Sequence, residues 1–138
     1  MKKILLIATG GTIASKPTAA GLAPQISSEE ILRSVPEAAT FCEIDAVQLL
    51  NLDSTNINYR HWLQIASCIQ QHYARYDGFV ITHGTDTMAY SLAALSYLIQ
   101  NSPKPIVFTG SQKSIHEKDT DARGNLLNAF IYAADAHA

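Results

Sequence analysis

The sequence predicts an α/β fold: an open, mostly parallel sheet with helices on both faces, of the Rossmann-like kind. Three observations predict it. Strand-like and helix-like runs alternate along the chain, the rhythm of a layered α/β domain. The runs "KILLIA" and "GFVIT" are continuously apolar, as strands buried on both faces of a parallel sheet must be. Short polar segments rich in Gly, Ser and Thr follow the strands directly, at the edge where open α/β sheets bind ligands.

The elements follow in order. "KILLIA" is the first strand. Residues 15–24, "SKPTAAGLAP", combine small residues with Gly and Pro and read as a mobile loop. "SSEEILRSVP" reads as a short helix. Ser27 or Ser28 caps it, Glu29 and Glu30 sit near its positive end, and Pro36 stops it. "EIDAVQLLNL" alternates partly and reads as the second strand. Asn58 caps a long helix running to about Tyr76, in which Trp62, Ile65, Ala66, Ile69, Tyr73 and Tyr76 form one apolar stripe. Burial of each large member is worth about 1.5–3 kcal/mol, enough to hold this helix against a sheet.

"GFVIT" is the third strand, "MAYSLAALSYLIQ" a helix and "KPIVFTG" the fourth strand. "SQKSIHEKDT" is a polar loop. Residues 121–138 read as a last helix with Leu126, Leu127, Phe130 and Ile131 on its apolar side. Right-handed crossovers place the strand C-termini along one edge, so "TGGT", "DST", "HGTDT" and "TGSQ" should converge there. The series ends in a helix without the strand that a parallel sheet would place next. Residues 1–138 are therefore expected to be an N-terminal domain cut before its end.

Composition narrows the function. The chain has 138 residues, 47% hydrophobic and 16% charged, with a formal net charge of -2. It contains no Lys/Arg-rich run, which argues against a nucleic-acid face. No apolar run approaches the roughly 20 residues that span a bilayer. Lys2 and Lys3 before an apolar run imitate a signal peptide, but that run covers only residues 4–8, too short for an h-region. The first run is expected to be the opening strand of a cytoplasmic protein. Cys42 and Cys68 have no motif spacing and read as free thiols of a reducing compartment.

The loops carry the chemistry. "TGGTIAS" fits neither the dinucleotide fingerprint nor the P-loop. Two readings stay open for it: a glycine turn that lets the chain leave the strand, or a close backbone approach to a ligand with Thr12 as nucleophile. His83 is a general base or a packed histidine. Thr85 and Asp86 offer a hydroxyl and a carboxylate to a small polar ligand; Asp86 is alternatively a helix cap. Asp53, Ser54 and Thr55 are ligand contacts or an Asx-type turn. His83, Asp86 and Asp53 lack metal-ligand spacing.

Together, "IATGGTIAS", "NLDSTN", "GFVITHGTDTMAY" and "FTGSQ" resemble the loops of the bacterial-type L-asparaginases, the asparaginase/glutaminase family that uses threonine nucleophiles. "DSTN" and "HGTDTMAYS" look most like its cytoplasmic type I branch. The resemblance implies hydrolysis of L-asparagine to L-aspartate and ammonia, without metal or organic cofactor. Thr12 would attack the side-chain amide and form a β-aspartyl ester. Thr85, with Asp86, would position water and relay a proton. Asp86 would bind the α-ammonium group. Ser54, with Asp53 and Thr55, would hold the α-carboxylate, and Ser111 would lie near the scissile amide through its backbone. A smaller C-terminal domain and a homo-oligomer, dimer or tetramer, in which neighbouring subunits complete each site, are also implied.

Two departures from that pattern stand out. Leu22 occupies the comparable place of a Tyr that many members carry in the loop after the first signature. The family's catalytic Lys belongs to a region beyond the last helix; Lys113 and Lys118 lie in a different loop and are expected to be solvated. The chain alone is therefore expected to be inactive. The alternatives are the amidase component of a tRNA-dependent amidotransferase and a non-catalytic truncated product. The amidase component shares both signatures but normally carries an N-terminal extension. This chain begins close to its first strand, which disfavours that alternative.

Overall fold

The computed structural model describes residues 1–135 and 137. Four strands form one parallel sheet: β1 (Lys2–Gly10), β4 (Cys42–Leu52), β5 (Gly78–Thr82) and β6 (Ile106–Thr109), in the order β4-β1-β5-β6. Every pairing in it is parallel, with Ile4 beside Ile44 on one side and beside Gly78 on the other. The central strands β1 and β5 are buried on both faces, which accounts for their unbroken apolar sequence.

Period-two alternation sorts the side chains between two cores. Ile4, Leu6 and Val80 face α1 (Ser28–Arg33) and α4 (Ala122–Ala134), where Ile31, Leu126 and Phe130 are buried. Leu5, Ile7, Phe79 and Ile81 face α2 (Tyr59–His72) and α3 (Met88–Leu98), where Ile65, Ile69 and Leu95 are buried. Cys42 lies in the first core and Cys68 in the second; both are free, and burial pushes both thiols up from their ordinary range.

The caps follow the sequence. Ser27 Oγ accepts from the Glu30 amide at 3.2 Å. Asn58 accepts from the Arg60 amide, while the Asn58 amide donates to His61 Nδ1, both at 3.0 Å. Trp62 Nε1 donates to Ser91 Oγ at 2.8 Å and ties α2 to α3.

Three elements differ from their expectation. Residues 15–24 form an antiparallel hairpin, β2 (Ser15–Thr18) and β3 (Gly21–Pro24), rather than an irregular loop. Gly21 takes φ +112, and Thr18 Oγ1 donates to its carbonyl at 2.6 Å, which closes the turn. The long helix ends at His72, and Tyr73–Arg75 continue as a 3-10 turn before Tyr76 returns to the core. In α4 the buried face is Ala122, Leu126, Ala129, Phe130 and Ala133, whereas Ile131 is 50% exposed. Small alanines let α4 lie close to the sheet, and the helical step carries Ile131 to the outer side. Of the predicted last helix, positions 136 and 138 lie outside the described residues.

The chain leaves β1 on the side of α1 and leaves β5 on the side of α3, so adjacent strands send their connections to opposite faces. That divergence opens a crevice at the C-terminal ends of β1 and β5, the switch point of a doubly wound sheet.

Candidate active site

Glycines bring the strand-end loops into direct contact. Gly10 and Gly11 have φ of +107° and +78°, a left-handed turn that other residues adopt only with strain. A Cβ on Gly10 would lie 2.5 Å from Leu52 N, and one on Gly11 would lie 2.6 Å from Gly84 Cα. A Cβ on Gly84 would lie 2.6 Å from Ser54 Cβ, and one on Gly110 would meet the His83 carbonyl oxygen. The predicted convergence of four loops is thus a chain of close contacts made by glycine backbone, to main chain at Leu52, Gly84 and His83 and to the Ser54 side chain. Gly11 N donates to Leu52 O at 2.9 Å, His83 N to Thr109 O at 2.9 Å, and Thr87 Oγ1 to Ser54 O at 2.8 Å, which pins the same loops together.

The cleft above this floor is lined by Gly11, Thr12, Ser15, Leu22, Pro24, Asp53, Ser54, Gly84, Thr85 and Asp86. Thr12 opens a 3-10 turn, Thr12–Ala14, and is half-buried. Ser15 Oγ donates back to Gly11 O at 2.8 Å and closes that turn from below. Ser54 is buried, Thr85 half-buried and Asp86 exposed. Thr87, not Asp86, is the cap position of α3, so the Asp86 carboxylate is not spent on capping.

Asp53 does what turn chemistry predicts. Its Oδ1 accepts from the Thr55 amide at 2.9 Å and from the Thr55 hydroxyl at 2.8 Å, and these bonds hold its carboxyl below the usual carboxylate range. Thr55 is engaged in this turn and lies outside the cleft lining, while Asp53 belongs to it. Ser111 is buried, and its hydroxyl donates to Lys113 O; it too lies outside the lining. Lys113 and Lys118 are exposed.

His83 is a packed histidine. It is 0% exposed, tilted against Phe108, with Nδ1 2.7 Å from Gly84 O. Burial pushes its pKa down, so the ring is neutral, and Nε2 has no partner. Among the described residues no group of three or more His, Cys, Asp or Glu could hold a metal ion.

Sequence reasoning assigned no role to Ser15 or Pro24, although both line the cleft. Ser15 closes the first signature and could have been found there; Pro24 arrives through the hairpin, which composition concealed. Leu22, named as a departure, stands on β3 in the cleft wall.

Residues 3–138 match the family model described as asparaginase, N-terminal. The chain belongs to the asparaginase family. The chain is 42% identical over 132 residues to an L-asparaginase of Thermococcus kodakarensis, covering 95% of itself and 40% of that protein. The solved structure of the thermostable L-asparaginase from that organism superposes with a TM-score of 0.84 at 43% identity, over 95% of this chain and 40% of that one. L-asparaginase 1 of Escherichia coli K12 is 39% identical over 142 residues, 97% of this chain and 41% of the relative. A glutamyl-tRNA(Gln) amidotransferase component of Archaeoglobus fulgidus is 41% identical over 134 residues, 96% of this chain and 32% of the relative. The chain thus spans less than half the length of these curated relatives.

Proposed function

We propose that this chain forms the nucleophile-bearing part of an L-asparagine amidohydrolase. The observation that carries the reading is the single cleft at the β1/β5 switch point lined by Thr12, Ser54, Thr85 and Asp86. Thr12 Oγ attacks the side-chain amide carbon, the C–N bond breaks, and nitrogen leaves as ammonia with the hydroxyl proton. Water then cleaves the β-aspartyl ester, restoring the Thr12 hydroxyl and releasing aspartate. Asp86 binds the α-ammonium as a charge-assisted pair, and the Ser54 hydroxyl receives the α-carboxylate end, with Asp53 holding the turn that carries Ser54. Thr55 serves this end by fixing Asp53 rather than by contact. Thr85 orients the water and relays its proton with Asp86, and the Ser111 loop flanks the scissile amide. Backbone amides at the two glycine-rich loops stabilise the oxyanion, a contribution of about 2.7–4 kcal/mol per donor.

The cleft lining contains no Lys, His or Tyr to take the Thr12 proton. The activity, the C-terminal domain and the homo-oligomer belong to the whole protein in this reading. The cytoplasmic setting rests on the two free, buried thiols.

The test is a titration with L-aspartate followed through the backbone resonances of Thr12, Ser54 and Asp86. Saturable shifts at all three, with a midpoint raised about tenfold in Asp86→Asn, support the reading; their absence in the unsubstituted chain overturns it.

The similarity to a glutamyl-tRNA(Gln) amidotransferase component favours a second reading, the amidase part of a tRNA-dependent amidotransferase. L-glutamate displacing L-aspartate at equal concentration would select it.

A further inference from the structure

The polar loop between β6 and α4 has a task that neither its composition nor the family signatures assign. Its base is fastened to α4. The Asp121 carboxylate accepts from the amides of Gln112 and Lys113 at 3.0 and 3.1 Å, and Asn125 Nδ2 donates to Gly110 O at 2.9 Å. From this base the chain reaches back across the molecule to the Thr12 turn. Ser114 Oγ donates to Ser15 O at 2.6 Å, and Ile115 N donates to Ile13 O at 3.1 Å. Both residues are buried, and Ile115 packs in the same core as Ile13 and Ala14. A further contact fixes Ser114 itself, whose amide donates to Glu117 Oε1 at 2.9 Å.

The Thr12–Ala14 turn needs such support. It is a single 3-10 turn, and a turn this short has little stability of its own. Within it, Ala14 N bonds Gly11 O and Ser15 N bonds Thr12 O. Nothing in those two bonds fixes how the turn is rotated relative to the β5 loop. The Ala14 carbonyl accepts from the amides of Gln25 and Ile26 at 2.8 Å, and the carbonyls of Ile13 and Ser15, on either side of it, accept from donors of the 111–121 loop; together these bonds set the rotation.

We propose that Ser114 is a positioning residue for Thr12: its hydroxyl, with the Ile115 amide, fixes the direction in which the Thr12 side chain enters the cleft. This rests on the reading of Thr12 as the nucleophile. A misplacement of about 1 Å at a reacting group can cost a hundredfold in rate, so a buried serine far along the chain carries weight.

Hydrogen exchange and threonine-methyl NMR of the chain test this, with Ser114→Ala, Ser114→Thr and Thr12→Ala. In the unsubstituted chain the amides of Ser15 and Ile115 should exchange more slowly than those of the β2–β3 hairpin tip; equal rates overturn the proposal. Ser114→Ala should speed both amides about tenfold and shift the Thr12 methyl signal, with Ile81 and Phe130 unchanged. Ser114→Thr, which keeps the hydroxyl, should restore both. Unchanged exchange at Ser15, uniform acceleration throughout, or failure of threonine to rescue would each overturn it. If the local changes occur but L-aspartate moves no cleft resonance, the amidohydrolase reading falls and the positioning stands.

Discussion

Gly84 sits so close to Ser54 that a Cβ on the glycine would lie 2.6 Å from the serine Cβ and 2.7 Å from its Oγ. The two residues come from loops after different strands, and their contact forms the base of the cleft. Gly84→Ala must push the loops apart. Overpacking of this kind costs about 1–3 kcal/mol, read as a lower denaturant midpoint with an unchanged slope. L-Aspartate binding should fall by more than that of a surface control.

Asp86 lines the same cleft and is left free by the capping pattern. Asp86→Asn preserves shape and removes charge. A hydrogen bond to a charged group is worth about 1.5–3 kcal/mol, and the exposure of Asp86 puts the loss at or below the lower end. L-Aspartate affinity should drop about tenfold by calorimetric titration, with the thermal midpoint unchanged.

The chain by itself should release ammonia from L-asparagine no faster than its Thr12→Ala variant. The cleft lining supplies a hydroxyl but no Lys, His or Tyr to deprotonate it. A coupled ammonia assay checks this, and release well above the variant's rate would refute it.

His83 gives a pH dependence with a definite sign. Burial lowers its pKa, so below about pH 6.5 the unfolded chain takes up a proton that the folded chain refuses. This contribution to stability is full above the unfolded value and is lost as pH falls through the folded one. Thermal midpoints should decline between pH 7 and 5, and His83→Gln should flatten that decline. Glu30, lowered chiefly by its bond to His116 and then by Lys16, acts only further into acid.

Phe130 and Ile131 are neighbours in α4 with opposite fates. Phe130→Ala should cost about 3–5 kcal/mol, and Ile131→Ser less than about 0.5 kcal/mol, by urea denaturation.

The parallel sheet was legible because β1 and β5 carry unbroken apolar runs, the pattern of strands buried on both faces, in alternation with helix-like segments. The convergence of loops was legible from topology alone. The hairpin was not: "SKPTAAGLAP" has no period-two pattern, and its strands are held by backbone pairing and the Gly21 turn. Ile131 was misplaced because α4 buries alanines, which hydrophobicity underweights, in preference to a larger neighbour. Ser114 was invisible because its partner lies 99 residues away.

The base of the cleft is built where glycine main chain lies against backbone at Leu52 and Gly84 and against the buried Ser54 side chain, so no long, rotamer-rich side chain sets its width. The hairpin wall, with Leu22 and Pro24, is built from side chains instead. Selectivity between two ligands that differ by one methylene would therefore be retuned from the hairpin, leaving the base untouched.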